Sequence, residues 1–200
     1  MKLLWSSRSP FARKVMIAAH ELGIADDFEI ERVVVDASDP NRTVMQINPF
    51  GQIPTLILDD GEVLHDSAVI IDYLDQRFGG SLVPACGAER WSALKLQAIA
   101  DGIMEADLRL LEERKHLSNG HRDGLAAGMR GKIATALDML EASPPEAITI
   151  GSVALGSALA HLDFRFPDEP WRSGRPRLAA WFENFAARPS MRFTPFVDQY

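Results

Sequence analysis

The stretch that decides the fold is Asn48-Pro49-Phe50-Gly51-Gln52-Ile53-Pro54-Thr55-Leu56-Ile57-Leu58, then Asp59-Asp60-Gly61, then Glu62-Val63-Leu64-His65-Asp66-Ser67. It reads as turn, strand, tight hairpin, strand and the opening of a helix. Asn48-Pro49 and Gly51 are turn chemistry, and Asp60-Gly61 between two apolar runs is a hairpin signal. Pro54 stands directly before Thr55-Leu56-Ile57-Leu58, where a proline can begin a strand but cannot continue one. A cis Ile53–Pro54 bond, which costs only ~0.5–1 kcal/mol for X-Pro, would turn the chain sharply and leave the Ile53 amide and carbonyl facing outward. Those groups need partners, and an extended peptide lying antiparallel could supply both. Asp66-Ser67 opens a helix whose unpaired amides favour a carboxylate. An open backbone rung beside a carboxylate socket suits a small peptide.

Working outward, Lys2-Leu3-Leu4-Trp5 is a short strand and Ser6-Ser7-Arg8 a loop. Ser9-Pro10 reads as N-cap and first residue of a helix. Phe11, Val15, Ala18 and Leu22 form one apolar face of that helix, which Gly23 ends. Phe28 to Val35 starts as an alternation and finishes apolar, a second strand, and residues 36–47 hold a loop with a short, weak helix. Ser67 to Phe78 is the next helix, with Ile70, Ile71, Leu74 and Phe78 on one face. The order β-α-β-α-β-β-α is the thioredoxin-like arrangement, a first domain over residues 1–78.

Gly79 to Gly87 reads as a linker, after which strand signals vanish and residues 88–200 form an all-helical domain. One helical stretch runs from Ala88 to about His116 and stops near Ser118-Asn119-Gly120. Another runs from His121 to about Ala142 on Leu125, Met129, Ile133, Leu137 and Leu140. Gly124, Gly128 and Gly131 lie inside it, each costing ~1 kcal/mol relative to alanine, so they are expected to admit a neighbouring helix closely. Thr149 caps a helix carrying Leu155, Leu159, Leu162 and Phe166. Arg175-Pro176 leads into a last helix with Leu178, Trp181, Phe182 and Phe185, ended by Arg188-Pro189, and the tail Phe193 to Phe196 is apolar enough to pack back.

Asn-Pro-Phe-Gly-Gln-Ile-Pro-Thr-Leu at 48–56, followed by His-Asp-Ser-Ala-Val-Ile-Ile-Asp-Tyr-Leu at 65–74, resembles the N-terminal domain of the cytosolic glutathione transferases. The resemblance implies that Ile53, before a cis Pro54, pairs through its backbone with the cysteinyl unit of glutathione, leaving its side chain able to vary. Asp66 and Ser67 would hold the γ-glutamyl end, and Gln52 could donate to the glycyl carboxylate or be simply a solvated loop residue. It also implies a homodimer, in which an acid of the partner's first long helix often reaches the ligand's ammonium; Asp101 and Asp107 are the candidates. A second, apolar electrophilic substrate would lie between the domains near Phe11, Met104, Leu108 and Leu111. The matching family helix usually opens Ser/Thr-x-x-Asp, and with Ser152 in the fourth place the reciprocal capping bond is expected to be weaker or absent.

Glutathione chemistry needs an ionised thiol. A free thiol has a pKa of ~8.5, and lowering it by two units takes ~2.7 kcal/mol of preference for the anion. One hydroxyl donating to the sulfur supplies ~1.5–3 kcal/mol and a helix N-terminus another ~0.3–1, so a general base is not required. Ser9 offers both, because its oxygen can cap the helix while its O–H points at sulfur; it serves as donor and not as nucleophile. Ser-Pro-Phe at 9–11 sits where omega-like members have Cys-Pro-Phe and zeta-like members place their serine. Ser6 and Ser7 remain rivals. Ser9-Pro10 and Asp66-Ser67 also have a purely structural reading as helix starts.

Composition narrows the alternatives. At 200 residues, 46% hydrophobic and 24% charged, the chain is ordinary for a globular protein, and no apolar run approaches a membrane span. The net charge of −7 lacks a basic stripe, which argues against nucleic acid. A lone Cys86 forms no internal disulfide, so a reducing cytoplasm is expected. No metal or cofactor is expected beyond glutathione as co-substrate: His20-Glu21 lacks a second histidine, and His116 and His121 lack a cysteine partner. Two other readings stay open, a glutathione-dependent thiol reductase, which would want cysteine at position 9, and a non-catalytic glutathione-binding or protein-interaction module.

Overall fold

The structure is a computed structural model that describes every residue except 37, 115–119, 199 and 200, with only the backbone described at 120 and 121. The chain forms two compact units, Met1–Ala85 with Pro189–Tyr200, and Cys86–Arg188. The sequence pattern places 79–87 in a linker and everything beyond in the helical domain. Residues 79–85 instead group with the first unit because Asp75 holds them: its carboxylate accepts from the amides of Leu82 at 2.8 Å and Val83 at 3.1 Å. The tail from Pro189 onward joins the first unit as well.

In the first unit β1 (Lys2–Trp5), α1 (Pro10–Glu21), β2 (Glu29–Arg32), α2 (Arg42–Met45), β3 (Thr55–Ile57), β4 (Val63–Leu64) and α3 (Ser67–Arg77) follow the order read from the sequence. The sheet order is β2-β1-β3-β4, with β1 parallel to β2 and antiparallel to β3, and β3 antiparallel to β4. Leu4 pairs with Thr55 and Leu56 with Leu64. The C-terminal ends of β1 and β4 and the N-terminal end of β3 therefore share one edge of the sheet. Gly61, at φ 91°, makes the hairpin turn. On α3 Ile70, Ile71 and Leu74 are buried as expected, but Phe78 ends the helix exposed. A short helix not foreseen, α8 (Pro189–Arg192), begins the returning tail.

The second unit consists of α4 (Gly87–Arg114), α5 (Gly120–Ala142), α6 (Ile150–Arg165) and α7 (Pro176–Ala186). The expected stop at Ser118-Asn119 lies outside the described residues. Met129, Ile133, Leu137 and Leu140 bury one face of α5, while Leu125 is exposed. The expectation for Gly124, Gly128 and Gly131 fails, because a Cβ at any of them would meet nothing within 4 Å among the described residues. Close approach falls on α6 instead. A Cβ at Gly151 would lie 2.6 Å from the Ala93 carbonyl oxygen, and one at Gly156 2.3 Å from the Phe185 ring. The reciprocal bond of the α6 cap, expected to be weaker or absent, is present: Ser152 Oγ accepts from Thr149 N–H at 2.8 Å. Serine is short, but in the first turn it lies near enough to close the box that an acid closes elsewhere.

Candidate functional site

The shared sheet edge brings three segments together: the loop Ser6–Ser9 leaving β1, Gln52–Pro54 entering β3, and His65–Ser67 leaving β4. Each is held there by a local device. The Ile53–Pro54 peptide is cis. Asn48, buried, donates through Nδ2 to the Gln52 carbonyl and to Thr55 Oγ1, both at 3.0 Å, and Thr55 Oγ1 donates to the same carbonyl at 2.8 Å. Those two side chains fix the loop before Pro54, a role that the turn reading of Asn48 did not contain.

Ile53 packs its side chain against Leu4 and Val44 and is itself buried. The expectation that this side chain can vary is therefore corrected: the backbone rung is aimed by burying it. Among the described residues neither the amide nor the carbonyl of Ile53 has a hydrogen-bond partner. Pro54 is buried and Gln52 exposed.

Ser9 is the N-cap of α1, with Oγ accepting from Ala12 N–H at 3.2 Å. Its own N–H donates to Ser6 O at 3.1 Å, and its carbonyl accepts the Arg13 amide at 3.0 Å. The Ser9 hydrogen has no acceptor among the described residues. Of the two rivals, Ser7 is committed elsewhere, since its hydroxyl donates to Val197 O at 3.0 Å and accepts from Arg32 at 2.8 Å. Ser6 accepts from the Arg8 amide at 3.3 Å. Phe11, the second residue of the helix, is half-buried, with Lys14 Nζ 5.6 Å from its ring centre.

Asp66 is the N-cap of α3, one oxygen accepting from Ala68 N–H at 2.9 Å, and its side chain is exposed. Ser67, the first helical residue, is buried, and its hydroxyl has no partner among the described residues. Both keep polar atoms available beside a helix N-terminus that favours negative charge.

The acids and apolar residues of α4 divide differently. Asp107 is 0% exposed and bonds His161 Nδ1 at 2.9 Å, and burial pushes its carboxyl above the usual range despite that bond. Its carboxylate is turned inward onto His161 and is not offered at the surface, contrary to the expectation that it could reach a ligand outside its own chain. Asp101 is half-buried, at 3.4 Å from the Gln97 amide nitrogen. Met104 is 0% exposed, so it lies in the interior, whereas Leu108 and Leu111 keep accessible surface. The histidine pair His116 and His121 falls outside the described side chains.

Comparison with known proteins adds three observations. Residues 8–77 match the family model described as glutathione S-transferase, N-terminal domain, and 97–184 match glutathione S-transferase, C-terminal domain. The chain is 31% identical to an uncharacterized GST-like protein, YibF, of Escherichia coli K12, over 97% of this chain and 98% of that one. It superposes on a glutathione transferase family member of Pseudomonas fluorescens Pf-5 with bound glutathione at a TM-score of 0.93 and 40% identity, covering 97% and 98% of the two chains. A glutathione S-transferase of Methylobacillus flagellatus KT with glutathione bound is similar at a TM-score of 0.86 and 30% identity, covering 98% and 99%.

Proposed function

This chain belongs to the glutathione S-transferase family, and we propose that it binds glutathione and transfers its thiolate to a small apolar electrophile. The observation that carries the reading is the unengaged hydrogen of Ser9 at the head of α1, on the same sheet edge as the unpaired backbone of Ile53. The cysteinyl unit lies antiparallel to Ile53, exchanging N–H and C=O with it. Its sulfur accepts the Ser9 O–H, and the helix start adds a partial positive charge. Asp66 and Ser67 receive the γ-glutamyl end, and Gln52 reaches toward the glycyl carboxylate. Glutathione bound in the Pseudomonas and Methylobacillus relatives supports the ligand.

Phe11 is the candidate contact for the electrophile beside the thiol, and the active form is a homodimer in this reading. A serine at position 9 has no thiol with which to form a mixed disulfide, which disfavours the reductase reading.

Turnover of an aryl halide with glutathione, compared between the wild type and Ser9→Ala, tests the proposal. Losing one charge-assisted bond predicts a fall in kcat between about tenfold and about a hundredfold near neutral pH. Glutathione binding without turnover, unaffected by the substitution, would instead identify a non-catalytic module.

A further inference from the structure

The tail that returns to the first unit grips the chain on both sides of Ser9. Two residues before it, Ser7 makes two bonds to Val197: its hydroxyl donates to the Val197 carbonyl at 3.0 Å and its carbonyl accepts the Val197 amide at 3.2 Å. Arg32, at the end of β2, donates to the same hydroxyl at 2.8 Å, so the oxygen is held from two sides. Four residues after Ser9, Arg13 closes the first helical turn on the Ser9 carbonyl. Its guanidinium is buried and donates to the tail carbonyls of Thr194 and, at 3.2 Å, Met191, with the Phe196 ring 4.4 Å away. Among the described residues no carboxylate answers that charge. Burial pulls its pKa down to about 10, so the tail carbonyls do the solvating that water would otherwise do.

We propose that residues 189–198 form a strap that holds the Ser6–Ser9 turn in register, with Ser7 as a positioning residue that aims the Ser9 hydroxyl at the glutathione sulfur. The proposal rests on the reading of Ser9 given above. The geometry favours positioning over plain packing, because the strap makes directional bonds to the turn itself. Ser9 is tied to that turn by its N–H, which donates to the Ser6 carbonyl, so a shift of Ser7 is passed to Ser9 through a single tight turn. A hydroxyl-to-sulfur bond weakens steeply with misalignment.

The test is the pH dependence of kcat at saturating glutathione, which reports titration within the complex, measured on the full chain as Ser7→Ala, Val197→Pro, Ser9→Ala and the Ser7→Ala/Ser9→Ala double variant. Ser7→Ala and Val197→Pro, which removes the amide donor, are each expected to raise the bound thiol's pKa by about one unit and lower kcat up to about tenfold at neutral pH. KM for glutathione is expected to stay within about twofold, since Ile53, Asp66 and Ser67 are not moved. In the Ser9→Ala background Ser7→Ala has nothing left to aim, so the double variant should match Ser9→Ala alone. Ser7→Ala removes a single oxygen, so it carries the test should Val197→Pro fail to fold; a melting curve shows each variant's state. An unchanged thiol pKa in Ser7→Ala, with Ser9→Ala raised, overturns the strap and leaves the transferase reading standing. Additive shifts in the double variant overturn it too, because Ser7 would then act on its own. An unchanged value in Ser9→Ala overturns the reading of Ser9 itself.

Discussion

At the head of α1, Ser9 accepts the Ala12 amide and keeps its own hydrogen unengaged, whereas at the head of α6 Ser152 accepts the Thr149 amide at 2.8 Å and donates to the Thr149 carbonyl at 2.9 Å. Both are serines at the start of a helix, Ser9 as the N-cap and Ser152 in the first turn. Ser152 is buried with its hydroxyl hydrogen engaged inside one turn, and Ser9 is half-buried with its hydroxyl hydrogen left over. The contrast teaches that capping alone does not mark a site. What separates the two is whether the surroundings leave a donor unpaired at a surface that other unpaired groups share. Ile53 and Ser67 supply those other groups around Ser9.

The comparison can be broken by exchanging the consequences of losing each hydroxyl. The largest effect is expected at Ser9→Ala, with up to about a hundredfold loss of kcat and a melting penalty of only about 1 kcal/mol for the lost cap. If turnover survives while stability falls, Ser9 is a cap and nothing more. Next comes Gly156→Ala, whose Cβ would overlap the Phe185 ring and cost about 1–3 kcal/mol by overpacking, read from denaturant midpoints. Ser152→Ala is expected to cost about 1 kcal/mol and leave turnover unchanged, the mirror image of Ser9→Ala. Gly128→Ala, facing open space inside α5, should stabilise by about 0.5–1 kcal/mol.

The smallest effect concerns pH. Arg130, then Arg114, holds the Glu169 carboxyl below its usual range. A carboxyl depressed in the folded state contributes stability that is present above its unfolded value, near ~4.3, and is lost as pH falls through the folded value. The melting difference between wild type and Glu169→Gln should therefore be small at neutral pH and vanish on acidification. A difference that grows on acidification would contradict this sign.

Much of the first unit could be read from the chain because its signals are local. Ser9-Pro10 and Asp66-Ser67 announce helix starts by cap chemistry, Asp60-Gly61 announces a hairpin, and alternation announces strands. The parts that could not be read depend on partners far away in sequence. Nothing near Asp107 points to His161, and nothing near Arg13 points to carbonyls 178 and 181 positions later. The glycines make the same point. Gly128 and Gly156 look alike in a helical sequence, yet one faces open space and the other a phenyl ring. The motif around Ile53 points to its backbone alone, whereas its side chain, packed on Leu4 and Val44, anchors that backbone.

A crystal structure of the protein with glutathione bound tests the central claim most directly. The account predicts the sulfur within ~3.5 Å of Ser9 Oγ and the cysteinyl N–H and C=O paired with the Ile53 backbone. A sulfur held by Ser6 or Ser7, or a tripeptide lying away from Ile53, would contradict it.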